Sequence, residues 1–212
     1  MVDIREIGRR NEGIVMSGQD FQAVLDFWFE GEDLGQVQME RWWKKNPEVD
    51  QLIRQRFASL VDKLYQGLSL RWLEAPESCL AAIICLDQFP RNMYRETGRS
   101  YQYDALALDL TEQGLQKGFD RSLSPLERAF FIMPLMHDES LASQERCVSL
   151  FSELVSETEG SLKLYLEGGL DFAGQHRDII ARFGRYPHRN LILGRDSTPE
   201  EMNFLKEPGS SF

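Results

Sequence analysis

The sequence predicts an all-α protein of antiparallel helix hairpins, on three observations: recurrent helix-start punctuation, apolar residues at helical spacing, and no segment that alternates like a strand. Punctuation is the most local of these signals. Asn46-Pro47-Glu48, Ser124-Pro125-Leu126-Glu127 and Thr198-Pro199-Glu200-Glu201 each place a side-chain acceptor before a proline, with acid in the turn that follows. Such an acceptor caps free backbone N–H groups, and proline lacks an N–H that the first turn could not use anyway. Ser124 with Glu127 and Thr198 with Glu201 also have capping-box spacing.

The elements follow in order. A helix is expected near 20–29, then one from Pro47 to Gln66, where Ile53, Phe57, Leu60, Val61 and Leu64 share a face and Gly67 offers a left-handed end. Another is expected near 76–88. From Tyr101 to Lys117, Tyr103, Leu106, Ala107, Leu110 and Gly114 repeat the helical phase, with Ser100 before and Gly118 after. Helices near 125–133, from Ser140 to Ser156, and near 161–183 complete the set. Their short connections suit antiparallel neighbours, about seven or eight helices in all. No Gly/Pro-rich linker or low-complexity tract divides the chain, so residues 18–206 are expected to form one domain, preceded by a loose leader at 1–17 and followed by a frayed tail at 207–212.

At 212 residues and 24.6 kDa, the chain is long enough to bury a sizeable core without metal or disulfide staples. A net charge of -10 and a pI near 4.9 argue against nucleic acid or an anionic membrane surface as partner, because both attract clustered Lys and Arg. Cys79, Cys85 and Cys147 are odd in number and set among aliphatics, which suits small buried thiols and a cytoplasmic location. The longest apolar runs, such as CLAAIICL at 79–86, are too short to span a bilayer. Trp28, Trp42, Trp43 and Trp72 are expected mainly in the core.

Against that acidity, two basic passages stand out: DQFPRNMYRETGRS at 87–100 and GRYPHRNLILGRD at 184–196. Residues 88–99 and 176–195 hold Arg91, Arg95, Arg99, Arg177, Arg182, Arg185, Arg189 and Arg195 but no lysine, in a chain with 18 arginines and 6 lysines. Arginine used without lysine points to its planar fork. That fork grips a carboxylate or phosphate through two parallel hydrogen bonds, or stacks on Phe89, Tyr94, Tyr101, Phe183 or Tyr186. The same arginines equally suit internal ion pairs with Asp87, Asp104, Asp138 or Glu139.

His137, His176 and His188 all lie near acids or arginines, yet none has the spacing of a zinc or metallohydrolase motif, so no metal is expected. There is no nucleophile elbow and no Gly-rich phosphate loop, so no cofactor is expected either.

The segments LDQFPRNMYR at 86–95, MHDESLASQER at 136–146 and HRDIIARFGRYPHRNLILGRDSTPEE at 176–201 together resemble the bacterial domain of unknown function 924. The resemblance runs from about Val24 to Leu205. It implies a tetratricopeptide-like α-α superhelix of about seven to nine helices, and no established activity. It also implies that Asp87, Gln88, Arg91, Asn92, His137, Gln144, Glu145, Arg146, His176, Arg177, Asp178, His188, Arg189 and Asn190 are recurrent polar positions.

Two function classes fit. In the first, a pocket built from segments around 87–99, 134–140 and 184–195 binds a small phosphate- or carboxylate-bearing anion. Arg91, Asn92, Arg99, Arg177, Arg189 and Asn190 hold it, and His137 or His188 moves a proton if there is turnover. In the second, the helical array is a non-enzymatic scaffold that grips an acidic peptide or partner protein.

Overall fold

A computed structural model describes residues 19–31, 34–67 and 70–210; the expected leader at 1–17 and residues 211–212 of the expected tail lie outside the described residues. The regular structure there is helical throughout, with no strand. In order come α1 (Gln19–Phe29), α2 (Gln36–Trp43), α3 (Pro47–Gln66), α4 (Pro76–Ile83), α5 (Phe89–Met93), α6 (Asp104–Gln116), α7 (Pro125–His137), α8 (Leu141–Glu157), α9 (Gly160–Phe183) and α10 (Pro199–Phe204). Two compact units emerge. One holds the described residues up to Arg95 together with Arg99–Pro134, and the other holds Glu96–Gly98 together with the residues from Leu135 onward.

All three punctuated starts are helix N-termini. The Asn46 side chain accepts from the amides of Glu48 and Val49 at 3.0 and 3.3 Å. At Ser124 the Glu127 amide donates to the hydroxyl at 3.4 Å, while the Ser124 amide donates to the Glu127 carboxylate at 2.9 Å. Thr198 and Glu201 exchange the same pair of bonds. Gly67 departs from expectation. Its φ of -176° is extended backbone, and its amide closes α3 by donating to the Lys63 carbonyl.

In the first unit α1 packs on α4, α3 on α5, and α4 on α6. Ile53, Phe57, Val61 and Leu64 of α3 are buried, as their spacing predicts. Aromatic side chains fill much of the interior: Trp28 meets Phe89 and Phe130 at 5.6 and 5.7 Å, and Phe57 stacks on Phe89 at 4.8 Å. Trp28, Trp42 and Trp72 are core residues, but Trp43 is half exposed. Gly114 on α6 has a packing role, since a β-carbon there would lie 2.4 Å from the Phe131 ring.

The second unit is built on the α8–α9 hairpin, whose buried side chains include Phe151, Leu154, Leu166 and Ala173. Gly184, at φ 69°, caps α9 in the left-handed region and lets its amide close on the Ile180 carbonyl. Ile179, Ile180 and Tyr186 form a small core with Phe183 and Phe204 against it. Turns carry the chain to Ser210, whose hydroxyl donates to the Leu205 carbonyl.

Candidate functional site

The helix expected to end near 88 runs on to Met93. Pro90 has no N–H to offer the Leu86 carbonyl, and its ring crowds that carbonyl, so an ordinary α-turn cannot pass through it. The chain widens instead into a π-turn over Ile84–Gln88, with the Phe89 amide reaching the Ile84 carbonyl, and the helix resumes as α5.

The wide turn buries Asp87 and Gln88. Gln88 Nε2 donates to Asp87 Oδ2 at 2.6 Å and approaches Met133 Sδ at 3.3 Å. Arg91 Nη1 lies 3.2 Å from Asp87 Oδ1, and its two Nη atoms grip both oxygens of Asp104 at 2.9 and 3.0 Å. Burial works against this cation, but Asp87 and Asp104 outweigh it and raise the Arg91 pKa.

Asn92 donates to Asp50 Oδ1 at 3.0 Å, beside the fork that Arg95 makes to the same carboxylate at 2.6 and 2.9 Å. Arg99 pairs with Asp62 at 2.7 Å and lies 4.1 Å over the Tyr94 ring. Arg91, Arg95 and Arg99 are each engaged by a carboxylate of the same unit.

In the second unit the organising problem is the end of α7. A helix leaves its last carbonyls without amide partners, and here they are covered by protein. Gln144 Nε2 reaches the carbonyls of Leu135, Met136 and Asp138 at 3.2, 2.8 and 2.7 Å. The Tyr186 hydroxyl donates to Met136 at 2.5 Å, and Arg189 Nη1 donates to His137 at 3.0 Å. Gln144 Nε2 also donates to the Tyr186 oxygen at 2.9 Å, while its buried Oε1 meets no donor.

Glu139 fixes the approach of the 184–195 segment. Its oxygens take a fork from Arg195 at 2.6 and 2.9 Å and the Tyr186 amide at 2.8 Å. Burial alone would raise the Glu139 pKa, but Arg195 and that amide hold it below the usual carboxylate range.

Around the buried Tyr186 ring His176 and His188 come together with Arg189. The His176 and His188 rings each lie 5.5 Å from it, and the Arg189 guanidinium sits 4.4 Å over its centre. His137 joins through the carbonyl bonded by Arg189. His176 Nδ1 is 2.8 Å from the Phe172 carbonyl, which can only accept, so that nitrogen carries the proton. Burial pushes the His176 pKa down to about 3; the Phe172 carbonyl pulls the other way, and the charges of His137, Arg189 and His188 add to the lowering. This ring is neutral near pH 7.

The remaining candidates have local partners. Arg177 donates to the adjacent Asp178 from Nε and Nη2 at 3.0 and 2.7 Å on the exposed side of α9. Asn190 donates to Ser197 at 3.0 Å and to Glu201 at 3.3 Å. Glu201 also takes a fork from Arg185 at 2.6 and 2.9 Å. Arg185 first, with the Thr198 amide, holds the Glu201 pKa down to about 2 against burial. Cys147 is buried, and desolvation pushes its thiol up to about 12, so it is no nucleophile at neutral pH. No group of three or more His, Cys, Asp or Glu among the described residues could hold a metal ion.

Residues 24–209 match the family described as Bacterial protein of unknown function (DUF924). The chain belongs to this family. A solved structure, that of the protein of unknown function ATU0120 from Agrobacterium tumefaciens, is similar at 36% identity with a TM-score of 0.75, covering 88% of this chain and 96% of that one. No curated protein matches. Family and neighbour together establish the all-helical fold but name no activity, so function in this DUF924 member has to be read from its own side chains. No helix among the described residues is long and apolar enough to cross a membrane.

Proposed function

We propose that this DUF924 protein binds a small phosphate- or carboxylate-bearing anion at the cluster of His137, His188 and Arg189 in its second unit. One observation carries the reading: in an acidic chain His176 and His188 meet Arg189 around a single tyrosine ring, and Arg189 bonds the backbone of the third histidine, His137. Glu139 binds Arg195 and the Tyr186 amide and also attracts the Arg189 guanidinium, so an anion would bind in competition with it. An incoming anion would meet a fork that His137's carbonyl and Tyr186's ring hold in place, which is pre-organised recognition. If turnover accompanies binding, His137 or His188, both half-buried, is the proton carrier. Three free, buried cysteines suit a reducing compartment, and the cytoplasm is the setting we propose.

Arg91, Asn92 and Arg99 enter this proposal only as scaffold, because Asp87, Asp104, Asp50 and Asp62 engage them. The test is thermal unfolding with sulfate, phosphate and citrate. Binding should stabilise the protein in proportion to occupancy, by about 2.7 kcal/mol at a hundred times the dissociation constant. Arg189→Lys should weaken that response although the charge is kept. If no anion stabilises the wild type and Arg189→Ala lowers stability equally with and without salt, the arginine is structural. The scaffold reading would then lead, with the exposed Leu164 and Phe172 of α9 as the side chains to test against acidic peptides.

A further inference from the structure

We infer that the exposed face of α3, in the first unit, docks an acidic amphipathic helix of a partner protein; this is independent of the anion-site reading, which concerns the second unit. Leu52, Arg56, Ser59 and Lys63 recur at i, i+4, i+7 and i+11, so they line one stripe of α3, and all four are exposed. At about 1.5 Å per residue the stripe runs about 16 Å, or about three turns. It is basic in a chain of net charge -10 because the acids of α3 are used elsewhere. Glu48 and Asp50 lie in the first turn, where an acid suits the helix N-terminus. Asp50 also takes the Arg95 fork and the Asn92 amide, and Asp62 takes Arg99.

Among the described residues neither Arg56 nor Lys63 has a carboxylate partner. What holds Arg56 is aromatic. Its guanidinium lies 5.0 Å from the centre of the Phe27 ring and 4.9 Å from that of Phe57, two buried rings that are themselves 5.3 Å apart. Such contacts fix a planar fork in an exposed side chain, so little freedom is left to lose on binding. The group that fits the fork is a carboxylate, held through two parallel hydrogen bonds. Lys63 adds a second, point-like cation two turns along the same stripe, and Leu52 adds an apolar contact one turn before Arg56. A helix that carries carboxylates about two turns apart and an apolar residue beside them matches the three in order. Nucleic acid fits less well: two cations are few against a net charge of -10, and phosphates leave Leu52 without a counterpart.

The experiment is fluorescence anisotropy of a labelled synthetic peptide titrated with the full chain. The peptide is a short amphipathic helix of Glu, Leu and Ala with its glutamates about two turns apart; its counterparts carry Gln or Lys in place of Glu, and a single-stranded oligonucleotide of similar charge is the remaining probe. The Glu peptide should bind saturably, and the Gln and Lys peptides at least about tenfold more weakly. Lys63→Glu should weaken the Glu peptide at least about tenfold. Arg56→Lys should weaken it about three- to tenfold although the charge is kept. Leu52→Asp, at an exposed position, should weaken it as well, and with Lys63→Glu it answers the question should Arg56→Lys fold poorly. Lys206→Glu, the same change of charge at an exposed lysine of the second unit, should alter affinity less than about twofold.

No saturable binding of the Glu peptide overturns the inference. So does equal weakening by Lys63→Glu and Lys206→Glu, which is attraction without a docking face. Oligonucleotide binding that is tighter than the peptide's and lost with Lys63→Glu gives the face to nucleic acid. Sedimentation that shows a wild-type dimer dispersed by Lys63→Glu gives it to a second copy of this chain. Either of these results also overturns the acidic helix as partner, and all of them leave the anion site as it stands.

Discussion

In the first unit Phe89-Pro90-Arg91-Asn92 carries a helix onward, whereas in the second Tyr186-Pro187-His188-Arg189-Asn190 leaves one. The letters are nearly the same, but the chain just before them differs. Pro90 follows the aliphatic run of α4, fully buried, so the helix accommodates proline by widening into a π-turn and stays in the core. Pro187 follows Gly184, whose left-handed cap has already ended α9, so proline starts a 3-10 turn instead. The arginines inherit the difference. Arg91 is pressed between two carboxylates, while Arg189 lies over a tyrosine ring and bonds a carbonyl among histidines. A shared motif here sets residue types, and the preceding turn decides whether the arginine meets carboxylates or a ring and a carbonyl.

The largest effect should come from breaking the first of these arrangements. Asp87→Ala takes one of its two carboxylate partners from Arg91 and the acceptor from the buried Gln88 amide, and should cost about 3 kcal/mol in urea unfolding. Arg189→Ala loses the hydrogen bond to the His137 carbonyl and the contact with the Tyr186 ring, and should cost about 1 to 2 kcal/mol. Equal losses would mean that the two arginines do the same structural job, and the contrast would fail.

Acid should separate the units next. All three histidines belong to the second unit. His176 has a folded pKa of about 3, far below its ordinary value of about 6.5, so between those limits the unfolded chain binds a proton that the folded chain refuses. Its neutral burial therefore favours folding above about pH 6.5 and is progressively lost as pH falls toward 3, by at most about 1.4 kcal/mol per pH unit. Amide exchange followed from pH 7 to pH 4 should show α9 losing protection before α3. A His176→Gln variant should flatten that dependence. Simultaneous loss in both units, unchanged by the substitution, would assign the acid response elsewhere.

What the sequence showed depended on how far apart the cooperating residues lie. Caps at Asn46, Ser124 and Thr198 are legible because partner and acceptor are three residues apart or fewer, and amphipathic faces because one helix writes them in full. The π-turn was hidden, since proline after an aliphatic helix ordinarily reads as its end, whereas here the helix runs on to Met93. The hub of the candidate site was also hidden. Glu139 and Arg195 are 56 positions apart, and Tyr186 lies 50 from the Met136 carbonyl it caps, so neither pair leaves a local pattern. The histidines were visible as residues. The meeting of His176 and His188 around one ring is tertiary.

The smallest effects concern the two capping boxes, which are alike in letters and set differently. Ser124 and Glu127 exchange their bonds in exposed surroundings, whereas Glu201 caps Thr198 while also holding Arg185 and Asn190. Ser124→Ala and Thr198→Ala each remove one acceptor, so each should cost about 1 kcal/mol. The glutamates should then part company. Glu127→Ala removes a single exposed bond to the Ser124 amide and should change stability less than Ser124→Ala does. Glu201→Ala removes the centre of a knot joining α10 to the 185–190 segment, and should exceed Thr198→Ala in both lost stability and amide exposure around Asn190. Four unfolding curves check the order. A Glu201 loss no larger than that at Glu127 would mean that α10 is held by its apolar contact of Phe204 with Phe183 rather than by its charges.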